Sequence, residues 1–415
     1  MSTVRPFRFV RPRPDLASQL ASLPYDVMNR AEAKAMAAGN PFSFLHICRS
    51  EIDLPDSVDA YAPAVYAQAR QTLDRFQAEG TLIQDPVAGF CIYRQVMWGR
   101  VQTGIVGGVS VDEYQNGTIK RHELTRKDKE LDRINHFDVC DANTEPIFLA
   151  YRRHAGLSKL INEWIKFHKP AYDFKTPDGI THILWPVDDP AVVKEISDSF
   201  ATVPNLYIAD GHHRTASGAE VCLRRRAAKP GYKGDEEFNF VMAVVFPDDD
   251  LFIMDYNRLV KDLNGLSEAE FLAKLGKVFD VKPHAGPGSF RPMQKHAFGM
   301  FLGGRWYACQ AKPGTWNPAD PIGSLDCAIL QDNVLDPILG IKDPRTDKRI
   351  DFVGGIRGLE ELERRCQNGM AVAFALCPVT MEDLFAVADA DKIMPPKSTW
   401  FEPKLASGLF VHKLS

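Results

Sequence analysis

The segment NLYIADGHHRTASGAEVCLRRRA, residues 205–227, constrains the fold more than any other stretch of the chain. An apolar run ends at Asp210 and Gly211, and a helix-forming run starts at once. Only glycine permits the tight, unusual backbone turn such a junction demands. A helix that starts there leaves its first N–H groups without intrahelical acceptors. Its dipole adds positive potential at the same point, so the junction favours an anion. Arg214 contributes a planar donor fork suited to phosphate oxygens. His213 is a further donor that titrates near neutral pH, with His212 beside it. Asp210 stands just before this cradle, placed to take a proton from a hydroxyl or to hold a metal ion or water. The competing reading is an ordinary helix cap with two surface histidines.

Two further clusters carry chemistry-bearing residues. IKRHELTRKDKELDR, residues 119–133, follows the Asn116-Gly117 turn and places His122 and Glu123 ahead of a charged helix; taken alone it reads as a solvated helix start. MPPKSTWFEPKLASGLFVHKL closes the chain. Its prolines forbid a helix, Lys397, Ser398 and Thr399 are grouped, and Trp400, Phe401, Leu405, Leu409 and Phe410 require burial.

Between these clusters the pattern predicts a helix over 59–80, strands over 89–99 and 103–114 joined by a short turn, and strands over 181–187, 205–211 and 238–246. A helical stretch over 191–200 separates two of them. Helices and short strands then alternate from 268 to 379. Without regular βαβ alternation, the fold class is α+β. A surface turn at 247–250 separates a core from a C-terminal region. Three regions are expected: 1–85, a core over 86–246, and 247–415. The Arg224-Arg225-Arg226 run is expected on a solvated helix face.

A net charge of −4 argues against a general nucleic-acid binder. The eight cysteines show no C-x-x-C spacing, which fits reduced thiols rather than a disulfide framework or a zinc site. With no apolar run of membrane-spanning length and no signal-peptide core at the start, a cytoplasmic protein is expected.

Taken together, the three clusters resemble the free L-serine kinases of the ParB/sulfiredoxin-like superfamily, in the same chain order. ADGHHRTASGAE is similar to their D-G-H-H-R segment, RHELT to their P-H-E segment and PPKST to their S-P-K-T-T segment. LPYDVMNRAEA, NTEPIFLAY, YNRLVKDLNG and MPPKSTWFEPKLASGL also make the whole chain resemble the domain-of-unknown-function 1015 family. The kinase resemblance implies a ParB/sulfiredoxin-like mixed α/β core with N-terminal and C-terminal α+β extensions. It implies Glu123 as catalytic base, Asp210 as the carboxylate that assists catalysis or holds metal, and His213 with Arg214 as the phosphate-contacting pair. Gly211 and His212 complete that turn, and Thr399 with Lys397 and Ser398 form the C-terminal phosphate segment. Glu123, Asp210, His213, Arg214 and Thr399 are expected to line one cleft. The implied cofactors are Mg²⁺ with ATP or ADP, and the implied partners are a nucleotide and a small amino acid. Arg121 stands where those kinases have proline, and Phe401 where they have histidine.

The chemistry is coherent on its own terms, because phosphoryl transfer asks chiefly for positioning and for positive groups around the phosphate. No G-x-x-x-x-G-K-[ST] loop and no H-R-D or D-F-G set is present, which excludes ordinary P-loop and protein-kinase folds. The alternatives are a non-catalytic ParB-like nucleotide switch, a metal-dependent hydrolase using His212 and His213, and a sulfiredoxin-type enzyme. The last lacks its cysteine, since His212 stands in that place.

Overall fold

The computed structural model describes residues 1–415. They form two compact units, residues 1–251 with 403–415 and residues 252–402. The class is mixed α+β.

The first unit is built on one large mixed sheet. Its strands are β1 (Val4–Arg5), β2 (Phe90–Met97), β3 (Arg100–Ser110), β4 (Ile119–Lys120), β5 (Ile147–Tyr151), β6 (Tyr172–Lys175), β7 (Thr181–Val187), β8 (Leu206–Asp210) and β9 (Phe240–Pro247). They lie in the order β4–β8–β5–β9–β3–β2–β7–β6, with β1 beside β3. The β4–β8 and β5–β9 pairs are parallel and the rest antiparallel. β5 and most of β9 are buried on both faces, which is why they read as unbroken apolar runs instead of alternating ones.

Three helices form a layer, α1 (Pro63–Ala78), α2 (Lys127–Cys140) and α3 (His212–Ala228), with α2 packed between the other two. Helix α3 lies close on the sheet at Gly218, where a Cβ would stand 2.7 Å from Val241 Cγ2 of β9. The C-terminal segment is tied to the start of the chain by main-chain bonds. Ser22 and Ser407 exchange N–H···O bonds, as do Val10 and Val411, and His412–Lys413 pairs with Ala142–Asn143. The expected burial of the tail's apolar groups is met here by Leu405, Leu409 and Phe410, all under 5% exposed.

The second unit has a six-stranded antiparallel sheet, in which Tyr256–Val260 runs between Ile350–Gly354 and Val372–Leu376. Leu259, Phe301, Trp306, Val353 and Leu362 form its core.

Two local expectations change. Val111–Gln115, read as the end of a strand, is a short helix. The arginine run is not merely solvated. Arg225 pairs with Asp138 and Asp141, and Arg226 with Asp112, so this face of α3 is pinned to α2 and to the helix after β3.

Gly218→Ala gains helix propensity but forces a methyl into Val241. The expected net result is a loss of about 1–3 kcal/mol in denaturant unfolding. Combining it with Val241→Ala is expected to cost less than the sum of the two single changes, because the two sites share one contact.

Candidate functional site

At the end of β8 the chain passes through Gly211, whose φ of 90° and ψ of 30° lie in the left-handed region. Glycine is required twice over. The φ is unfavourable for L side chains, and a Cβ would stand 3.2 Å from Arg214 Nε. The first main-chain bond of α3 runs from Thr215 N–H to Gly211 O at 2.9 Å. The N–H groups of the preceding turn therefore point out of the helix end, at the positive pole of its dipole.

Asp210 flanks this turn. Its Oδ1 accepts the Gly211 N–H at 2.7 Å, and its Oδ2 accepts Lys404 Nζ at 2.8 Å. Burial opposes its charge. The Lys404 ammonium, the Arg214 guanidinium and the Gly211 N–H outweigh that and hold the carboxyl well below the usual carboxylate range. Lys404 is a site residue that the sequence did not reveal. It sits in FEPKLASG with no spacing that sets it apart from any other surface lysine.

Beneath the turn Arg214 is 3% exposed. Its Nη1 donates to Pro146 O at 2.6 Å, while Nε has no acceptor. Burial works against this cation, but Asp26, Asp210 and Glu145 raise its pKa above the ordinary arginine value. Glu145, fully buried, accepts the Tyr25 N–H at 3.1 Å and the Ser407 hydroxyl at 2.8 Å. Arg133 lies 3.5 Å from Glu145, bonds Asp132, and stacks 4.0 Å over the Tyr25 ring. Four separated sequence segments thus meet here: LPYDV through Tyr25 and Asp26, NTEP through Glu145 and Pro146, DGHHR through Asp210 and Arg214, and KLAS through Lys404 and Ser407.

The two histidines hold the loop that carries Glu123. His212 Nε2 accepts the His122 backbone N–H at 3.5 Å, and His213 Nε2 accepts that of Arg126 at 3.0 Å. These are different backbone partners, as expected for adjacent positions on one helix. His212 is buried, unlike the surface histidine of the competing reading, and its ring meets His122 edge-on at 4.5 Å. Burial lowers the pKa of both, to about 4 for His122 and well below the ordinary value for His212. A neutral His212 that accepts at Nε2 carries its proton on Nδ1. That atom faces Glu123 Oε2 at 3.8 Å, and the Glu123 side chain is 40% exposed. Glu123, Asp210, Gly211, His212, His213 and Arg214 therefore form one neighbourhood.

Lys397, Ser398 and Thr399 belong to the second unit. There the Ser398 hydroxyl donates to Pro395 O at 2.6 Å and lies 3.1 Å from Cys327 Sγ. Lys397 has a left-handed φ of 58° and stands 5.7 Å over the Tyr256 ring. Arg258, 3% exposed, donates to the Tyr256 carbonyl. No three His, Cys, Asp or Glu side chains come together in a metal-holding arrangement.

A family model described as a protein of unknown function, DUF1015, matches residues 4–328. No curated protein matches the chain. Among solved structures, a free serine kinase in complex with AMP is 15% identical over 72% of this chain and 86% of its own, with a TM-score of 0.35. A free serine kinase mutant in complex with ADP is 14% identical over 73% and 88%, with a TM-score of 0.36. SbnI with a C-terminal truncation, from Staphylococcus aureus, is 12% identical over 73% and 85%, with a TM-score of 0.38.

The depressed histidines set a pH dependence. In the unfolded chain an imidazole takes its proton near pH 6.5, whereas folded His122 does so only near 4. Its stabilising contribution is complete above about pH 6.5 and is lost as pH falls through that window. Asp210 acts only lower, as pH falls below about 4, so it does not mask the effect. Tm is expected to fall between pH 7 and pH 5, and to fall less in His122→Asn; calorimetric scans at both pH values check this.

Proposed function

The chain belongs to the DUF1015 family, described as of unknown function, and we propose that it is a small-molecule kinase. In this reading it moves the terminal phosphoryl group of ATP or ADP to an alcohol, with free L-serine the acceptor that the motif resemblance implies. The observation that carries the reading is the exposed Glu123 carboxylate. Its Oε2 lies 3.8 Å from Nδ1 of His212, the first residue of a helix that begins at a left-handed glycine.

The roles follow from the environments. Asp210, held ionised by Lys404, is a poor proton acceptor. It positions Lys404 instead. Glu123 is half-exposed and takes the proton. The acceptor oxygen attacks the terminal phosphorus while its proton passes to Glu123. The bond from phosphorus to the bridging oxygen breaks, and ADP leaves from ATP, or AMP from ADP. The outward N–H groups of α3 and the Lys404 ammonium meet the charge on the phosphoryl oxygens, with Arg214 adding positive potential from below. His212 and His213 are positioning residues that fix the 122–126 loop. Lys397, Ser398 and Thr399 enter through the motif resemblance alone.

Both Asp210 oxygens already have donors, so the residues here do not make a dedicated Mg²⁺ site. Mg²⁺ would arrive with the nucleotide, held chiefly by its phosphates. The two histidine Nε2 atoms bond backbone groups of different residues, which disfavours a histidine-based metal hydrolase. A ParB/sulfiredoxin-like core, an amino-acid partner and a cytoplasmic location belong to the same proposal; no helix of the chain is long and apolar enough to cross a membrane.

Purified protein incubated with Mg²⁺, L-serine and either ATP or ADP is expected to give a phosphoserine signal by ³¹P NMR. Glu123→Gln is expected to lower turnover by roughly 10²–10⁴ with nucleotide affinity nearly unchanged, because the base acts on the transition state. Lys404→Met is expected to weaken nucleotide binding about tenfold or more, measured by titration calorimetry. Turnover in Glu123→Gln equal to that of the parent removes Glu123 as base. No phosphoserine from either nucleotide removes the serine-kinase assignment.

A further inference from the structure

The first unit contains a cleft of about 200 Å³, open to solvent, lined by residues drawn from the segments 18–23, 36–45 and 176–182, with Lys404 and Ala406. That is below the roughly 300–1,000 Å³ of drug-sized ligand sites and suits a compact molecule. Leu23, Met36, Leu45, Ile180 and Ala406 give it apolar walls. Lys404 lines it and also bonds Asp210, so the cleft reaches the Gly211 turn along one side chain.

One of its walls is ordered by a directed chain of polar groups that starts in the core. The Tyr93 hydroxyl donates to His182 Nδ1 at 2.6 Å. His182 Nε2 then donates to Thr176 Oγ1 at 3.1 Å, and Thr176 donates to Asp178 Oδ1 at 2.5 Å. Tyr93 and His182 are at most 3% exposed. The Ile180 N–H, at 3.3 Å, is a second donor to Asp178 Oδ1. The result is an exposed carboxylate in a fixed position on the lining of the cleft, which Lys404 also lines.

We propose that this cleft is the acceptor site, and that it takes a hydroxy-amine, meaning an amino alcohol or a hydroxy-amino acid, with Asp178 receiving the ammonium group. The inference rests on the kinase reading for the word acceptor, while the ligand class rests on the cleft alone. A nucleotide suits these walls poorly. The lining holds one ammonium, already paired with Asp210, one exposed carboxylate that repels phosphate, and no Phe, Tyr or Trp for a base to stack on. An ammonium compound finds a carboxylate that is already oriented, with apolar surface for its carbon body. Its hydroxyl end is then directed toward Lys404 and the phosphate turn. This gives the N-terminal segment 18–45 a role in substrate choice.

Titration calorimetry on the full chain tests the site without relying on turnover. L-serine, L-homoserine and ethanolamine are the probes, N-acetyl-L-serine is the control without an ammonium group, and AMP reports the nucleotide. The expected result is binding by at least one ammonium probe and none by the control. Asp178→Asn is expected to weaken that binding at least about tenfold. Ser18→Trp, at an exposed rim position, is expected to block it, with AMP affinity unchanged in both variants. Absence of binding by all three probes, or equal binding by the parent and Asp178→Asn, overturns the proposal. So does a loss of AMP affinity in Ser18→Trp, which would place the nucleotide in the cleft. Asp178-dependent binding without phosphoryl transfer supports the site and removes the kinase reading. Transfer with a KM indifferent to Asp178 removes the site and leaves the kinase.

Discussion

Arg214 is a buried cation, and a cation inside a protein persists only when charges and acceptors surround it. Much of the first unit is arranged to meet that demand. Pro146 supplies a carbonyl, and Asp210, Glu145 and Asp26 supply negative charge. Glu145 must itself be compensated, which brings in Arg133, the Tyr25 amide and the Ser407 hydroxyl. Tyr25 and Ser407 lie near opposite ends of the chain. The compensation of one guanidinium thus reaches the C-terminal segment, which is also tied to residues 10 and 22 by main-chain bonds.

The same guanidinium lies against Gly211, so electrostatics and backbone geometry are coupled at one point. The left-handed turn exists to deliver α3 with its N-terminus open, and the space a Cβ would take is filled by Arg214. The histidines next to it serve geometry. Burial denies His212 charge, so its ring can accept the His122 N–H, and with the N–H that His213 accepts from Arg126 it fixes the 122–126 loop. A protonated ring would have no lone pair for that purpose.

The sequence disclosed what local rules govern. The strand–glycine–helix junction at 206–228, the β2–β3 hairpin and β7 follow from periodicity and turn chemistry, and they appear nearly where the pattern puts them. Val111–Gln115 was illegible as a helix because its apolar residues continue the alternation of the strand before it. The Glu123, Asp210 and Arg214 neighbourhood was legible as motif order. Lys404 and Glu145 were not, because their roles come from partners far away in sequence: Lys404 meets Asp210 only after the tail has folded back, and Glu145 meets Ser407 in the same way. The histidine pair was legible as chemistry but not as function, since nothing local shows that their acceptors face the backbone of residues 122 and 126.

Two carboxylates near one anion cradle pose a question of division of labour, and their surroundings answer it. Asp210 has a main-chain N–H on one oxygen and an ammonium on the other, with a guanidinium behind. Each favours the ionised form, and a carboxylate so stabilised gains little by accepting a proton. Glu123 Oε2 lies 3.8 Å from the His212 Nδ1–H, and its side chain is 40% exposed. Exchanging the roles would require Lys404 to leave Asp210, exposing a partly buried carboxylate beside the incoming phosphate. On the proposed kinase reading, Asp210 stays charged throughout as the anchor of Lys404 and proton transfer falls to Glu123. One short turn then separates charge compensation from base chemistry, using two residues of similar intrinsic acidity.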